Sequence, residues 1–354
     1  MTGTNWLRIA ALPLLLAGCG DGPGTIEPPP TAQCTFANPV VAGADPWVVR
    51  DAGSYHMVQS RDGGIWVTKS TTLTGVAGNG VRVWTPPATG WNSTNVWAPE
   101  LHRIGGRWYI YYAAGSAGPP YIHQRSGVLE SVGTDPQGTY VDRGMLYTGD
   151  DPAQAGESKW AIDVSVATIN GQLYAAWSGW EQNAATDRTP QHLYLARMSN
   201  PYTISGARVR ISSPVEPWER GTELDLQEGP EFLQRNGQTF IIYSTRESWL
   251  PDYRLGQLRL TGADPMSPAN WTKSGPVFVS GEGVVGVGHA GFTKSPDGTE
   301  DWIVYHAKTS TSPGWDRVIR MQKFTWNADG SPSFGLPEPS GRQIARPSGE
   351  CPAN

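Results

Sequence analysis

The sequence predicts an all-β fold, a five-bladed β-propeller, on three observations. A strand–turn–strand pattern recurs five times, a polar residue heads each copy, and no stretch sustains a helical periodicity. The copies are "GADPWVVRDAGSYHMVQS" from Gly43, "WAPELHRIGGRWYIYYAA" from Trp97, "AIDVSVATINGQLYAAWSGW" from Ala161, "EGPEFLQRNGQTFIIYST" from Glu228 and "GHAGFTKSPDGTEDWIVYHA" from Gly288. Each joins a short strand to an aromatic-rich one through a turn of Gly, Asn or Asp, the grammar of a β-hairpin. The heads are Asp45, Glu100, Asp163, Glu228 and His289, spaced 55, 63, 65 and 61 residues apart.

A third strand follows in every unit: "GIWVTKS", "SGVLES", "HLYLARMS", "YRLGQLRL" and "RVIRMQKFTW". A fourth is readable in most, as in "GARVRISS". Four strands every ~60 residues is the period of a propeller blade with roomy loops. The 43 glycines and 30 prolines agree with many short elements and turns. The innermost strand of each blade lines the central channel, so the five heads converge on one pocket. Carboxylates crowded there repel one another and are poorly solvated, which raises at least one pKa. A carboxylic acid that keeps its proton near neutrality can protonate a glycosidic oxygen, and a carboxylate across from it can activate water.

Charged residues make up 17% of the chain, the net charge is −5, and no run of Lys or Arg occurs. Neither nucleic acid nor an acidic membrane surface is therefore an expected partner. The 16 Trp and 13 Tyr suit flat, partly wet surfaces such as sugar-binding sites, although most are expected to pack in the core. Residues 1–18 have the pattern of an export signal, with Arg8 ahead of an apolar run, Ile9 to Leu16, too short to span a bilayer. Its end, Leu16-Ala17-Gly18-Cys19, resembles a bacterial lipobox, with cleavage before Cys19 and lipid on its sulfur. Gly20 offers no inner-membrane retention signal, so an exported protein anchored to the outer membrane or cell surface is expected, with the periplasm as the alternative. Residues 19–33 form a Gly/Pro-rich tether, and residues 34–354 the propeller. The two remaining cysteines, Cys34 and Cys351, bracket that domain and invite a disulfide in an oxidising compartment.

Taken in order, "ADPWV", "VWAPELH", "WAIDVSV", "WSGWE", "EGPEF", "GHAGF", "VYHA" and "QKFTWNADGSPSFGLP" resemble glycoside hydrolase family 43, in its branch of exo-acting α-L-arabinofuranosidases. The resemblance runs from about Asn38 to Pro339. It implies the same five-bladed fold and single-displacement hydrolysis with inversion, with no cofactor required for the chemistry. By position it implies that Asp45 is the general base, Glu228 the general acid, and Asp163 a third carboxylate whose charge raises the acid's pKa. Trp97 resembles the aromatic that lines the sugar pocket, and Glu100 a hydrogen-bonding wall residue. Arg317, entering the last strands, is a candidate to brace the acid or contact substrate. His289 resembles a hub histidine that in some members sits beside a hydrated calcium ion, although "GVGHAGF" departs from the Pro-before-Gly and Asn-Ser-after-His pattern of relatives. The expected substrate is an arabinose-containing plant polysaccharide or oligosaccharide, arabinan or arabinoxylan. β-Xylosidases and endo-arabinanases share this pocket, and a carbohydrate-binding propeller without catalysis is the alternative outside enzymes.

Overall fold

Each repeat folds as an antiparallel sheet whose strands follow one another in sequence, and five such sheets succeed each other along the chain. The computed structural model describes residues 34–151, 153 and 158–351. The first blade holds Trp47–Asp51, Ser54–Arg61, Gly64–Ser70 and Val81–Trp84. The second holds Thr94–Ile104, Arg107–Gly115, Arg125–Ser131 and Tyr140–Met145. The third holds Ala161–Ile169, Gln172–Gly179, His192–Asn200 and, as expected from "GARVRISS", Val209–Ser212. The fourth holds Gln227–Arg235, Gln238–Thr245, Arg254–Leu260 and Trp271–Phe278. Short helical turns at Thr74–Ala77 and Pro268–Asn270 lie between these strands.

The fifth blade departs from the simple repeat. It holds Val285–Lys294, Asp301–Lys308 and Arg317–Trp326, and takes its outer strand from the opposite end of the domain. Val41 pairs with Ile319 and Ala42 with Val318, both antiparallel. A ring of sheets must be closed somewhere, and a strand from one end added to the blade at the other does so while covering an open edge. Asn38 extends the closure with its side chain. Its Nδ2 donates to the carbonyl of Met321 at 2.8 Å, and its Oδ1 accepts from the Met321 N–H at 3.0 Å. A second tie joins Thr35–Ala37 to Gln343–Ala345 as a two-stranded sheet. Cys34 and Cys351 are both disulfide-bonded, in keeping with the expectation from their spacing. The export signal, the lipobox with Cys19 and the tether lie outside the described residues.

The hydrophobic core is divided among the seams between blades. Val58, Val67, Leu101, Ile110 and Leu129 fill the seam between the first and second blades, and Tyr111, Val164, Trp177 and Tyr194 the next. Leu195, Ile241 and Leu258 join the third blade to the fourth, and Phe240, Ile242, Ile303 and Tyr305 the fourth to the fifth. The closing seam is built from Val48, Met57, Val304, Ile319 and Met321, with Phe36 and Ile344 from the terminal segments packed on it. Each such side chain contributes about 1.5–3 kcal/mol through burial, so every seam holds its two blades at a fixed angle to the channel.

Asn38 is 2% exposed, so replacing it strands a buried N–H and a buried C=O at Met321. Asn38→Ala is expected to destabilise the fold by about 2–4 kcal/mol, one to two times the cost of a single orphaned group. Guanidinium denaturation should show a lower midpoint with an unchanged slope, and an unchanged midpoint would remove Asn38 from the closure.

Candidate active site

The inner strands bend where they reach the channel. The pairing register slips between Trp97 and Glu100, between Ile162 and Ser165, between Glu228 and Glu231, and between Gly288 and Gly291. At each slip one residue adopts a left-handed backbone: Ala98 (φ 39°), Asp163 (φ 56°), Gly229 (φ 52°) and His289 (φ 47°). In the first blade Asp45 does the same just before the strand begins (φ 49°). A bulge of this kind re-aims a side chain out of the alternation of the strand, and non-glycine residues there mark a functional site. Asp45, Ala98, Asp163, Gly229 and His289 are therefore the equivalent positions. Of the five heads read from sequence, Asp45, Asp163, Glu228 and His289 line the pocket, Glu228 standing one residue before its blade's bulge, whereas Glu100 stands two residues past its own and does not.

The side chains so aimed line a cavity of about 710 Å³. Asp45, Trp97, Asp163, Glu228, His289 and Arg317, the six residues singled out from sequence, all belong to its lining. Glu100 does not. It lies one layer deeper, with its Oε2 2.7 Å from His102 Nε2. Glu231, also buried, accepts from Ser165 Oγ at 3.3 Å. Burial first, and then the neighbouring Glu100, push the Glu231 carboxyl well above its ordinary range, so the layer beneath the pocket retains a proton.

Three carboxyls in the pocket have three different environments. Asp45 Oδ1 lies 3.3 Å from Arg317 Nη1, 3.1 Å from His306 Nδ1 and 3.4 Å from His289 Nδ1. Burial alone would raise its pKa, but Arg317, His289 and His306 outweigh it and hold the carboxyl far below the ordinary range. Glu228 meets the opposite fate. Burial lifts it to about 7 with help from the Asp45 charge, while Tyr253, whose hydroxyl donates to Oε1 at 2.8 Å, pulls the other way. Asp163 is 3% exposed, and its Oδ2 accepts from the Gly229 N–H at 2.9 Å. Burial, Glu228 and Asp45 together raise it well above the ordinary range. Asp163 and Glu228 thus compete for protons as a like-charged, desolvated pair, a more reciprocal arrangement than a permanently ionised helper beside an acid.

Two further residues connect base and acid. The Tyr253 ring stacks on His306 with centroids 5.4 Å apart and planes 6° apart, so one side chain touches Glu228 and the next touches Asp45. Burial and Arg317 push His306 down to about 4, leaving a neutral ring. Its Nδ1 is within reach of both the Asp45 carboxylate, at 3.1 Å, and the Asp45 N–H, at 3.2 Å. His306 stands in the recognisable "VYHA", whereas nothing near Tyr253 in "PDYRL" marks it out. Trp97 packs edge-on against Tyr121 at 5.0 Å and 70°, and Trp160 and Trp180 stack at 4.5 Å beneath the same wall.

Calcium is poorly served here. The ion takes six to eight oxygen ligands, whereas His289 offers one imidazole nitrogen already paired with Asp45. Among the described residues no group of three or more His, Cys, Asp or Glu is placed to hold a metal ion. The residues around His289 do not fit a calcium cage, and the polar contacts of that ring are explained by the base it supports.

The profile described as Glycosyl hydrolases family 43 matches residues 36–332. An extracellular exo-α-(1→5)-L-arabinofuranosidase of Streptomyces avermitilis is 36% identical, over 94% of this chain and 69% of its own length. Alpha-L-arabinofuranosidase 43 of Humicola insolens is 34% identical, over 88% of this chain and 67% of its own. The crystal structure of an α-L-arabinofuranosidase from Lactobacillus brevis superposes with a TM-score of 0.78 at 30% identity, covering 87% of this chain and 98% of that one. With the five-bladed fold, the pocket and these matches together, the chain belongs to glycosyl hydrolases family 43 and is a glycoside hydrolase.

Proposed function

We propose that this glycoside hydrolase removes terminal α-L-arabinofuranosyl units from arabinan or arabinoxylan, with inversion at the anomeric carbon. The observation that carries the reading is the division of charge in one pocket: Asp45 held ionised, Glu228 held at about 7. Relatives named as exo-α-(1→5)-L-arabinofuranosidases and α-L-arabinofuranosidases support the choice of sugar.

In this reading Glu228 donates its proton to the glycosidic oxygen as the bond to the anomeric carbon breaks. A water on the opposite face of the sugar attacks that carbon and gives its proton to Asp45. The leaving alcohol departs neutral, and solvent afterwards restores the proton to Glu228 and removes the one on Asp45. A sugar filling the pocket also covers the 22% of the Asp45 side chain left open to solvent, which raises its affinity for the proton when it is needed. Asp163 and Glu228 share one desolvated site, so whenever Asp163 is ionised its repulsion favours the proton on Glu228, and its bond to the Gly229 N–H holds the turn that carries the acid. Arg317 fixes the base, and Trp97 offers an apolar wall to the sugar ring. Export is part of the proposal, and the Leu16-Ala17-Gly18-Cys19 motif adds a lipid anchor on Cys19.

Proton NMR of the sugar first released from a methyl or aryl α-L-arabinofuranoside tests the chemistry. The β-anomer is expected, and the α-anomer would rule out these roles. Glu228→Ala should lower kcat/KM on arabino-oligosaccharides by at least 10²–10⁴-fold, yet recover much of that loss on 2,4-dinitrophenyl α-L-arabinofuranoside, whose leaving group needs no proton. Asp45→Ala should be as impaired on both. The wild-type kcat/KM should fall above about pH 7, as Glu228 loses its proton, and stay level well into acid because Asp45 remains ionised. In Asp163→Asn the like charge is gone, the acid ionises more readily, and the basic limb should move to lower pH. A limb that stays in place or rises would contradict the repulsive role given to Asp163.

A further inference from the structure

At its mouth the pocket carries two tryptophans that the chemistry above does not use. Trp249 lies in the segment between Gln238–Thr245 and Arg254–Leu260, and Trp315 between Asp301–Lys308 and Arg317–Trp326. Both line the same cavity as the carboxyls. Trp315 is 60% exposed, whereas Glu228 and Asp163 are 9% and 3% exposed, so the tryptophan marks the outer end of the site. Isolated exposed apolar residues need no explanation. These two are paired, with ring centroids 5.3 Å apart at 48°.

The pair is held in place from behind. The Gly314 N–H donates to the Trp249 carbonyl at 2.9 Å, and Lys308 Nζ donates to the Gly314 carbonyl at 2.6 Å. Fully buried Glu247 accepts from the Leu224 N–H at 3.1 Å, tying the Trp249 segment to the preceding wall. The Arg317 guanidinium lies 5.4 Å from the Trp315 ring while its other contact is the base, Asp45. The backbone that carries both indoles is thus fixed before any ligand arrives, which favours binding.

The cavity is also too large for one sugar. A pentosyl unit displaces on the order of six waters, roughly 180 Å³ at about 30 Å³ each, against about 710 Å³ here. With the terminal sugar at Asp45 and Glu228, the glycosidic oxygen faces the acid and the next sugar projects toward the mouth. We propose that Trp249 and Trp315 form the platform for the sugar on the leaving-group side, a pentosyl residue whose C–H face packs on the indoles. This rests on the arabinofuranosidase reading above. It makes the pair a determinant of preference for oligosaccharides over simple glycosides.

The test compares kcat/KM for (1→5)-linked arabinotriose and for methyl α-L-arabinofuranoside, whose leaving group is too small to reach the platform. It also measures inhibition by free L-arabinose, which probes the inner sugar position alone. In Trp315→Ala and Trp249→Ala the ratio of trisaccharide to methyl glycoside should drop roughly tenfold or more. The arabinose inhibition constant should not change, and Trp315→Phe should restore much of the ratio. An unchanged ratio, or a loss shared equally by both substrates and by arabinose binding, would overturn the platform. Should the wild-type enzyme cleave neither arabinofuranoside while cleaving a β-xyloside, the choice of sugar fails instead, and the platform with it.

Discussion

The active site depends on the contact between the first blade and the fifth. Asp45 belongs to the first, whereas Arg317, His289 and His306, which hold it ionised, all belong to the fifth. These blades are far apart in sequence and meet where Val41–Ala42 completes the last sheet, Asn38 clips onto Met321 and the core of the closing seam packs. Without that seam Asp45 would lose the side chains that hold it ionised and oriented, and its pKa would return toward the ordinary carboxylate range. The closing seam is therefore an electrostatic element as much as a mechanical one.

The division of labour among the carboxyls follows from how each is buried. All three suffer desolvation, and only at Asp45 do Arg317 and two imidazoles together outweigh it, whereas at Glu228 the more distant pull of Arg317 does not. Glu228 receives neutral donors, the hydroxyls of Tyr253 and Ser248, which orient it without supplying a positive charge. Tyr253 and His306, stacked nearly parallel, fix the two carboxyls relative to each other. A displacement of either is then transmitted to the other through rigid rings instead of flexible chains.

Much of this was legible in the sequence, because propeller blades repeat and the residues that point inward differ in chemistry from those around them. Asp45, Asp163 and His289 stand at equivalent bulges, and their spacing alone located them. The alignment is lost where the bulge is occupied by Ala98 or Gly229, residues with nothing chemical to align on, and the nearest carboxylates in the sequence are Glu100 and Glu228. Glu228 stands one residue from its bulge and still lines the pocket. Glu100 stands two residues from its own, enough to put its side chain in the layer beneath. The outer strand of the last blade was not foreseen either, because Val41–Ala42 is two residues long and pairs across almost the whole domain. Tyr253 gave no local signal, since its role exists only where a loop of the fourth blade reaches the fifth.

The strand that closes the ring has a consequence for how the enzyme comes to life. A chain made from its amino end holds Asp45 and the closing strand from the outset, while Arg317 and the strand they await come near the finish. Four blades can stack before the fifth arrives, yet until then the base has no counter-charge and the pocket has no far wall. Hydrolytic competence thus appears in one step at the end of assembly, and an incomplete ring, however well folded its early blades, is an inert one.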